Sequence, residues 1–393
     1  MIVRRLLLVV SLASASLWYP SKLEAVSPFV SIGDSIKIFF EGRTQFRYES
    51  NLFYQEEQEV ADTILHFVPG FDITIGTPDS GWNFILSLKE EFKHYLDNNN
   101  LDNNNSITKL NAAYKSPFVS ADFGLSYTEL DQTTPDIAPE SSSGRLIERK
   151  VSTARVHLEY DYSEKTLLSL GADFSRTSYV NDGVNLHDRQ SISLPINLYY
   201  HYSPKLDFSI GYRFRTTQIE DNSFGKAGSD SKDHFLNIGF RGELHPQIEG
   251  ALKIGIQKRN NRDKDSTAIA FDGDLYWHMS EKTYLNTAID RDFDTGGSGA
   301  SLKRTSFGIS LGHNYSEQIM GKIGLLYKNK DYNDTLGRHD DFFQLDSAIG
   351  YIIDQHTSLK LSYGYQKNDS ENDSDNEASF KNHYIDLTLD MRY

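Results

Sequence analysis

The sequence is dominated by one two-beat rhythm. About eighteen segments alternate apolar and polar residues, and the connections between them take turns between a short kind and a long kind. In an extended strand, side chains point alternately to opposite faces, so each segment carries an apolar row and a polar row. In Leu206-Asp207-Phe208-Ser209-Ile210-Gly211-Tyr212-Arg213-Phe214 the even positions are apolar and the odd ones polar or small. Leu359-Lys360-Leu361-Ser362-Tyr363-Gly364-Tyr365 repeats the pattern. Consecutive antiparallel strands with alternating connection lengths put every short turn at one rim and every long loop at the other. The pattern predicts strands over 35–50, 62–76, 81–95, 107–116, 120–130, 146–162, 165–179, 189–202, 205–219, 232–244, 248–259, 266–278, 282–294, 302–315, 318–331, 340–353, 357–367 and 379–393. Sixteen is the competing count, because the early strands are the least regular.

The short turns resemble one another. They read Tyr162-Ser163-Glu164-Lys165, Tyr202-Ser203-Pro204-Lys205, Met279-Ser280-Glu281-Lys282 and Tyr315-Ser316-Glu317-Gln318, and Thr77-Pro78-Asp79-Ser80 is the earliest of the set. Ser and Pro supply turn geometry, and an aromatic before them suits the depth of lipid headgroups. The repeat is about 35–45 residues long, which also fits a propeller blade. A blade needs four strands, however, and each unit here has room for two long ones. The long connections are polar, such as Asp97-Asn98-Asn99-Asn100-Leu101-Asp102-Asn103-Asn104-Asn105. Long strands, aromatics at their ends and strongly charged opposite faces together favour a lipid-facing exterior around a wet interior over a soluble sandwich. The expected fold is therefore all-β: a closed antiparallel transmembrane β-barrel. Its last segment, Ile385-Asp386-Leu387-Thr388-Leu389-Asp390-Met391-Arg392-Tyr393, keeps strict alternation. That segment is expected to pair with the first, leaving no edge open in lipid.

Bulk properties narrow the function. A mean hydropathy of −0.52 argues against a bundle of membrane helices. The chain has 393 residues, a net charge of −15 and no cysteine, with 23 Tyr and 23 Phe. Such acidity disfavours a nucleic-acid partner, and a structure without disulfides suits closure by backbone hydrogen bonds. Arg4 and Arg5 precede a largely apolar stretch from Leu6 to Tyr19, then Pro20 and Leu23-Glu24-Ala25. This layout predicts a secretory signal peptide over residues 1–25, cleaved after Ala25, with Ala13-Ser14-Ala15 as the other cut site. Residues 26–393 are then one barrel in the outer membrane of a Gram-negative bacterium.

If the apolar rows face lipid, the polar rows face the bore. The expected lining includes Arg43, Arg155, His157, Glu159, Asp207, Arg213, Arg215, Asp272, Asp274, Asp290, Lys322, Asp346 and Lys360. Most such residues simply solvate the wall, but as a set they mark a hydrated passage whose charges tune selectivity. Arg155, His157, Glu159 and Asp161 share one strand face and suit a salt-bridge ladder or a strip for sugar hydroxyls. Arg213 and Arg215 could meet an anion. The pairs Asp272 with Asp274 and Asp290 with Asp292 lack a positioned partner for hydrolysis. His201 near Ser203 belongs to a repeated turn and reads as structural. No catalytic residue, cofactor or metal is expected. The acidic run Asp369, Glu371, Asp373, Asp375 and Glu377 lacks the Gly of a calcium loop and reads as a solvated outer loop.

The Tyr-Ser-x-Lys turns at Tyr162 and Tyr202, strands such as Leu206–Phe214 and the terminal strand to Tyr393 resemble a known family. It is the outer-membrane β-barrel porin family associated with bacterial exopolysaccharide biosynthesis and export loci. The resemblance covers nearly the whole mature chain; its motifs specify architecture well and cargo poorly. It implies a passive conduit whose substrate is an exported polysaccharide and whose partner is a periplasmic polysaccharide-export protein. It also implies contact with outer-membrane lipids and lipopolysaccharide, and with the barrel-assembly machinery during insertion. A general or sugar-selective uptake porin, with a long loop folded inward as an eyelet, is the alternative. An outer-membrane lipid-modifying enzyme is the third reading.

Overall fold

The computed structural model describes residues 27–76, 81–131, 146–180, 186–221, 228–262, 265–332, 337–371 and 379–393. The signal-peptide segment, the Thr77–Ser80 turn and most of the acidic run after Glu371 lie outside them. The strands are β1 (Val30–Ile32), β2 (Ile36–Glu49), β3 (Asp62–Ile75), β4 (Trp82–Tyr95), β5 (Asn103–Lys115), β6 (Val119–Leu130), β7 (Arg149–Ser163), β8 (Thr166–Tyr179), β9 (Arg189–Ser203), β10 (Leu206–Ile219), β11 (Ser231–His245), β12 (Ile248–Asn261), β13 (Ser266–His278), β14 (Thr283–Thr295), β15 (Ser301–Asn314), β16 (Ile319–Tyr332), β17 (His339–Ile352), β18 (Thr357–Glu371) and β19 (Phe380–Arg392). Among the described residues, each of β2–β19 pairs antiparallel with its sequence neighbours, and β19 pairs back onto β2 from Tyr384↔Glu49 to Arg392↔Glu41. The result is a closed barrel of eighteen strands. The extra strand β1 folds back on the foot of β2, with Val30 opposite Ile38, and so covers the edge of β2 below the end of β19.

The apolar rows face outward. On β10, Phe208 and Ile210 are 46% and 55% exposed, while Asp207 and Ser209 between them are 7% and 8% exposed. Only a tube with lipid-facing grease and an enclosed polar row gives that inversion of the soluble pattern. Aromatics ring the short-turn rim: Trp82, Phe118, Tyr162, Tyr202, Tyr315 and Tyr393 are all exposed there. Each serine of the repeated turns accepts the backbone N–H two residues on, from Lys165, Lys205, Lys282 and Gln318, at 3.2 Å in every case. The recurring serine is therefore a turn former, closing the chain reversal with its own hydroxyl.

Two strands run longer than the alternation predicts. The stretch expected as a polar loop at 97–106 is a short 3-10 turn at Asn99–Leu101 followed by the first residues of β5. Its asparagines find partners on the wall: Asn105 Nδ2 donates to Asp131 at 2.7 Å, and Asn104 Nδ2 to Glu90 at 3.1 Å. β18 likewise continues through Asn368 to Glu371, where Ser370 donates to Asp340 at 2.6 Å. Above the lipid band the outer row no longer has to be apolar, so the strand outlasts its hydrophobic signature.

The charged interior as candidate functional site

The lumen-facing rows do more than solvate a wall. Their ion pairs join strands that are not neighbours, which side chains can do only through the bore. Arg241 on β11 donates to Glu159 on β7 and, at 3.1 Å, to Asp207 on β10. Asp207 also meets His201 Nδ1 at 2.6 Å, and the Arg241 guanidinium lies 3.8 Å over the Tyr199 ring. This network occupies the half of the barrel nearer the short turns.

A second, denser network lies higher. Asp292 on β14 accepts from Arg213 Nη2 at 2.8 Å, from Arg215 Nη1 at 3.0 Å and from Gln257 Nε2 at 2.5 Å. Arg213 and Arg215 stand on β10, four strands away around the wall. Asp233 on β11 accepts from Arg215 Nε at 2.8 Å and from Arg259 Nε at 2.6 Å. Arg259 and Asp233 are each 1% exposed. The end of β14 is drawn in with them: the carbonyls of Phe293 and Asp294 accept from Arg215 and Arg259, both at 2.5 Å, and that of Thr295 accepts from Arg189. Guanidinium–carboxylate pairs in a confined space hold geometry well because each charge-assisted bond fixes both partners. The bore is thus narrowed by a hub of three arginines and two aspartates.

Long-loop residues also fold inward. Leu52 packs with Ile64, Tyr95 and Leu146, and Tyr54 with Leu326, Phe342 and Phe380. Asn51 anchors this loop: its side chain donates to Gln55 and Lys381 carbonyls at 2.6 and 2.9 Å, and its N–H meets Asn382 Oδ1 at 3.1 Å. Tyr54 adopts a positive φ of 53° to make the turn. Burial, with Glu49 nearby, pushes its phenol far above the ordinary range. From the other side, His187 N–H donates to Gly297 at 2.8 Å, joining two further loops. Loops expected to emerge at the outer rim therefore close over it in part.

The other expected lining residues are more dispersed. Arg43 pairs with Asp390 at 2.7 Å across the closing seam, and Arg155 with Asp173 at 3.0 Å on the neighbouring strand. His157 Nε2 contacts Ser169 Oγ at 2.9 Å. Asp122 faces His157 in the β6–β7 ladder, but no hydrogen bond joins them among the described residues. Asp290 accepts from Arg304 at 3.1 Å, and Asp346 from Tyr384 and, at 2.6 Å, from Gln344. Asp272 stands directly opposite Asp290, and Asp274 opposite Ala288. Lys322 faces Ala348, and Lys360 faces Thr388. Among the described residues, no group of His, Asp and Glu is placed to hold a metal ion. Sequence reasoning missed Asp233, Gln257 and Arg259, although along β12 the period of two runs from Lys253 through Gly255 to both Gln257 and Arg259.

The family described as "Putative beta-barrel porin 2" matches residues 119–393. No curated protein matches the sequence. Among solved structures, the chain is similar to Pseudomonas aeruginosa OccK2 (OpdF) in complex with glucuronate, with 10% identity and a TM-score of 0.49 over 91% of this chain and 98% of that one. It is similar to Pseudomonas aeruginosa OpdK with vanillate at 11% identity and a TM-score of 0.48, over 91% and 99% of the two chains. The ferric citrate transporter FecA in its unliganded form gives 10% identity and a TM-score of 0.46, over 93% and 79%. The family match runs from β6 to the last residue, well over half the sequence, and the chain belongs to this family of outer-membrane β-barrel porins.

Proposed function

We propose that this porin is a narrow, charge-lined diffusion channel for small polar solutes. The observation that carries the reading is the Asp292 hub, whose ion pairs run through the bore between β10 and β14. The inward fold of the loop around Tyr54 supports it. A bore crossed in this way admits small molecules that exchange water for polar wall groups. A polymer needs a continuous, wider passage with weak, replaceable contacts. Export of exopolysaccharide, the first expectation from family resemblance, therefore ranks second, and a periplasmic export partner is not required.

Conductance of the purified protein in planar bilayers tests this directly. Small, discrete ion currents are expected, together with swelling of loaded liposomes by mono- and disaccharides. Replacing Tyr54 by Gly should raise the current. A silent protein, or passage of intact polysaccharide through the native channel, would end the reading.

A further inference from the structure

Strands β13 and β14 form a hairpin and should pair along their length. Their ladder runs from His278↔Tyr284 to Phe271↔Arg291 and stops. Neither strand stops there. β13 stays paired with β12 as far as Ser266, and β14 with β15 as far as Thr295. The register would set Ala270 opposite Asp292 and Ala268 opposite Asp294, yet no such rung forms among the described residues. The end of β14 is instead held against arginines of β9, β10 and β12. The wall is forked. Phe271 lies six residues above Trp277 near the short-turn rim. At about 2.5 Å of height per residue of tilted strand, the fork begins about 15 Å up an apolar band of about 25 Å. It opens towards the outer leaflet.

A small cavity of about 20 Å³ sits where the strands part. Arg213, Phe235 and Asp272 line it from the bore, and Phe271 and Arg291 from the lipid side. A pocket with walls from both faces of a barrel passes between its strands. Two of the residues that line it have an unused donor: Nε of Arg213 and Nε of Arg291 are buried and have no hydrogen-bond partner. Arg291 shares the outward row of Phe271, where a cation is costly unless an acidic group meets it. The cavity's carboxylates already have cations. Asp290 has Arg304, Asp292 has Arg213, and Asp272 stands opposite Lys253. Just above, Ile269 is 60% exposed on the lipid side.

We propose that the β13–β14 fork is a lateral portal that holds a carboxylate-headed amphiphile, its head between Arg213 and Arg291 and its tail along Phe271 and Ile269. The unused guanidinium N–H groups match carboxylate oxygens. The apolar row outside the fork gives the tail a path into lipid. The unpaired edge of β13, costly in a dry bilayer, is tolerable where a polar head and its water sit beside it.

The test is equilibrium binding of a fluorescent long-chain fatty acid to the full chain in detergent, with laurate, dodecyltrimethylammonium and phosphatidylglycerol as competitors. Saturable binding displaced by laurate is expected. Arg291→Gln should weaken it about tenfold, and Ala270→Trp, which fills the cavity, should abolish it. Both variants should keep the heat-dependent gel migration of the native barrel, which shows that the barrel has folded. A silent native bilayer would defeat the channel reading and leave this measurement standing. Absence of saturable binding, unchanged binding in both variants, or equal displacement by the cationic amphiphile would overturn the portal. Displacement by the phosphate lipid without displacement by laurate would overturn the carboxylate assignment.

Discussion

Two joints of the barrel wall behave in opposite ways. The closing seam joins β19 to β2, strands whose paired residues Arg43 and Asp390 are 347 positions apart. It holds along its length, and reciprocal backbone bonds between Phe40 and Tyr393 extend it at 2.7 and 2.9 Å. The β13–β14 joint links consecutive strands and forks halfway. Proximity along the chain therefore does not decide which ladder stays shut. The lumen-side residues do. At the seam, Arg43 faces Asp390 and Arg47 faces Asp386 directly across the ladder, so each ion pair reinforces the rungs beside it. At the fork, Asp272 faces Asp290, and like charges directly opposite destabilise a strand pair. The next acid, Asp292, is drawn across the bore by Arg213 and Arg215.

The largest effect should come from Asp292→Ala. It strips the shared acceptor from two arginines and Gln257 inside the bore. Removing one partner of a buried ion pair costs about 3–5 kcal/mol, because the cations left behind lose their shared counter-charge. Denaturant unfolding of the detergent-solubilised barrel should show that loss. Single-channel current should rise, since of the ties between β10 and β14 described above only the bond from Arg215 to the Phe293 carbonyl is then left. An unchanged current would mean that the hub does not set the width of the bore.

At the seam the effects should be smaller and graded by exposure. Arg47 is mostly enclosed. It pairs with Glu49 at 2.6 Å and Asp386 at 3.4 Å, and lies 4.1 Å over the Tyr384 ring. Arg47→Ala should cost about 1.5–3 kcal/mol, the range for hydrogen bonds to a charged group. Arg43, whose pair with Asp390 is about one-third exposed, should lose less than about 1 kcal/mol on the same substitution. Equal losses in the same unfolding measurement would mean that burial does not grade the seam.

The seam was legible in the sequence and the fork was not, for a physical reason. A lipid-facing wall forces a period of two, so strand existence, turn positions and the strand count follow from local pattern. The serine of each short turn bonds to its own neighbours, as Ser203 does with Lys205 and Leu206, and so repeats visibly. Strand tops such as Asn103–Ser106 escape because their partners, Glu90 and Asp131, lie on other segments. The hub depends on chords through the bore: Arg213 and Asp292 are 79 residues apart, and alternation says only that both point inward. Leu52-Phe53-Tyr54, an apolar triplet in an otherwise polar loop, was the one local hint that this loop turns in.

The finest test of the comparison is Asp290→Asn, because it predicts a gain where a lost ion pair would predict a loss. Asp290 is paired with Arg304 at 3.1 Å, but Arg304 keeps Asp294 at 2.5 Å, so the cation is not stranded. What the substitution removes is the repulsion with Asp272 across the ladder, and the new amide can donate to that carboxylate. Cross-strand pairs of this kind are worth about 0.2–1 kcal/mol, so the barrel should become more stable by an amount in that range. Amide exchange at Asp272, beside the last rung, should slow as the ladder tightens. If Asp290→Asn instead destabilises the protein, opposed carboxylates are not what starts the fork, and the pull of the Asp292 hub alone must open it.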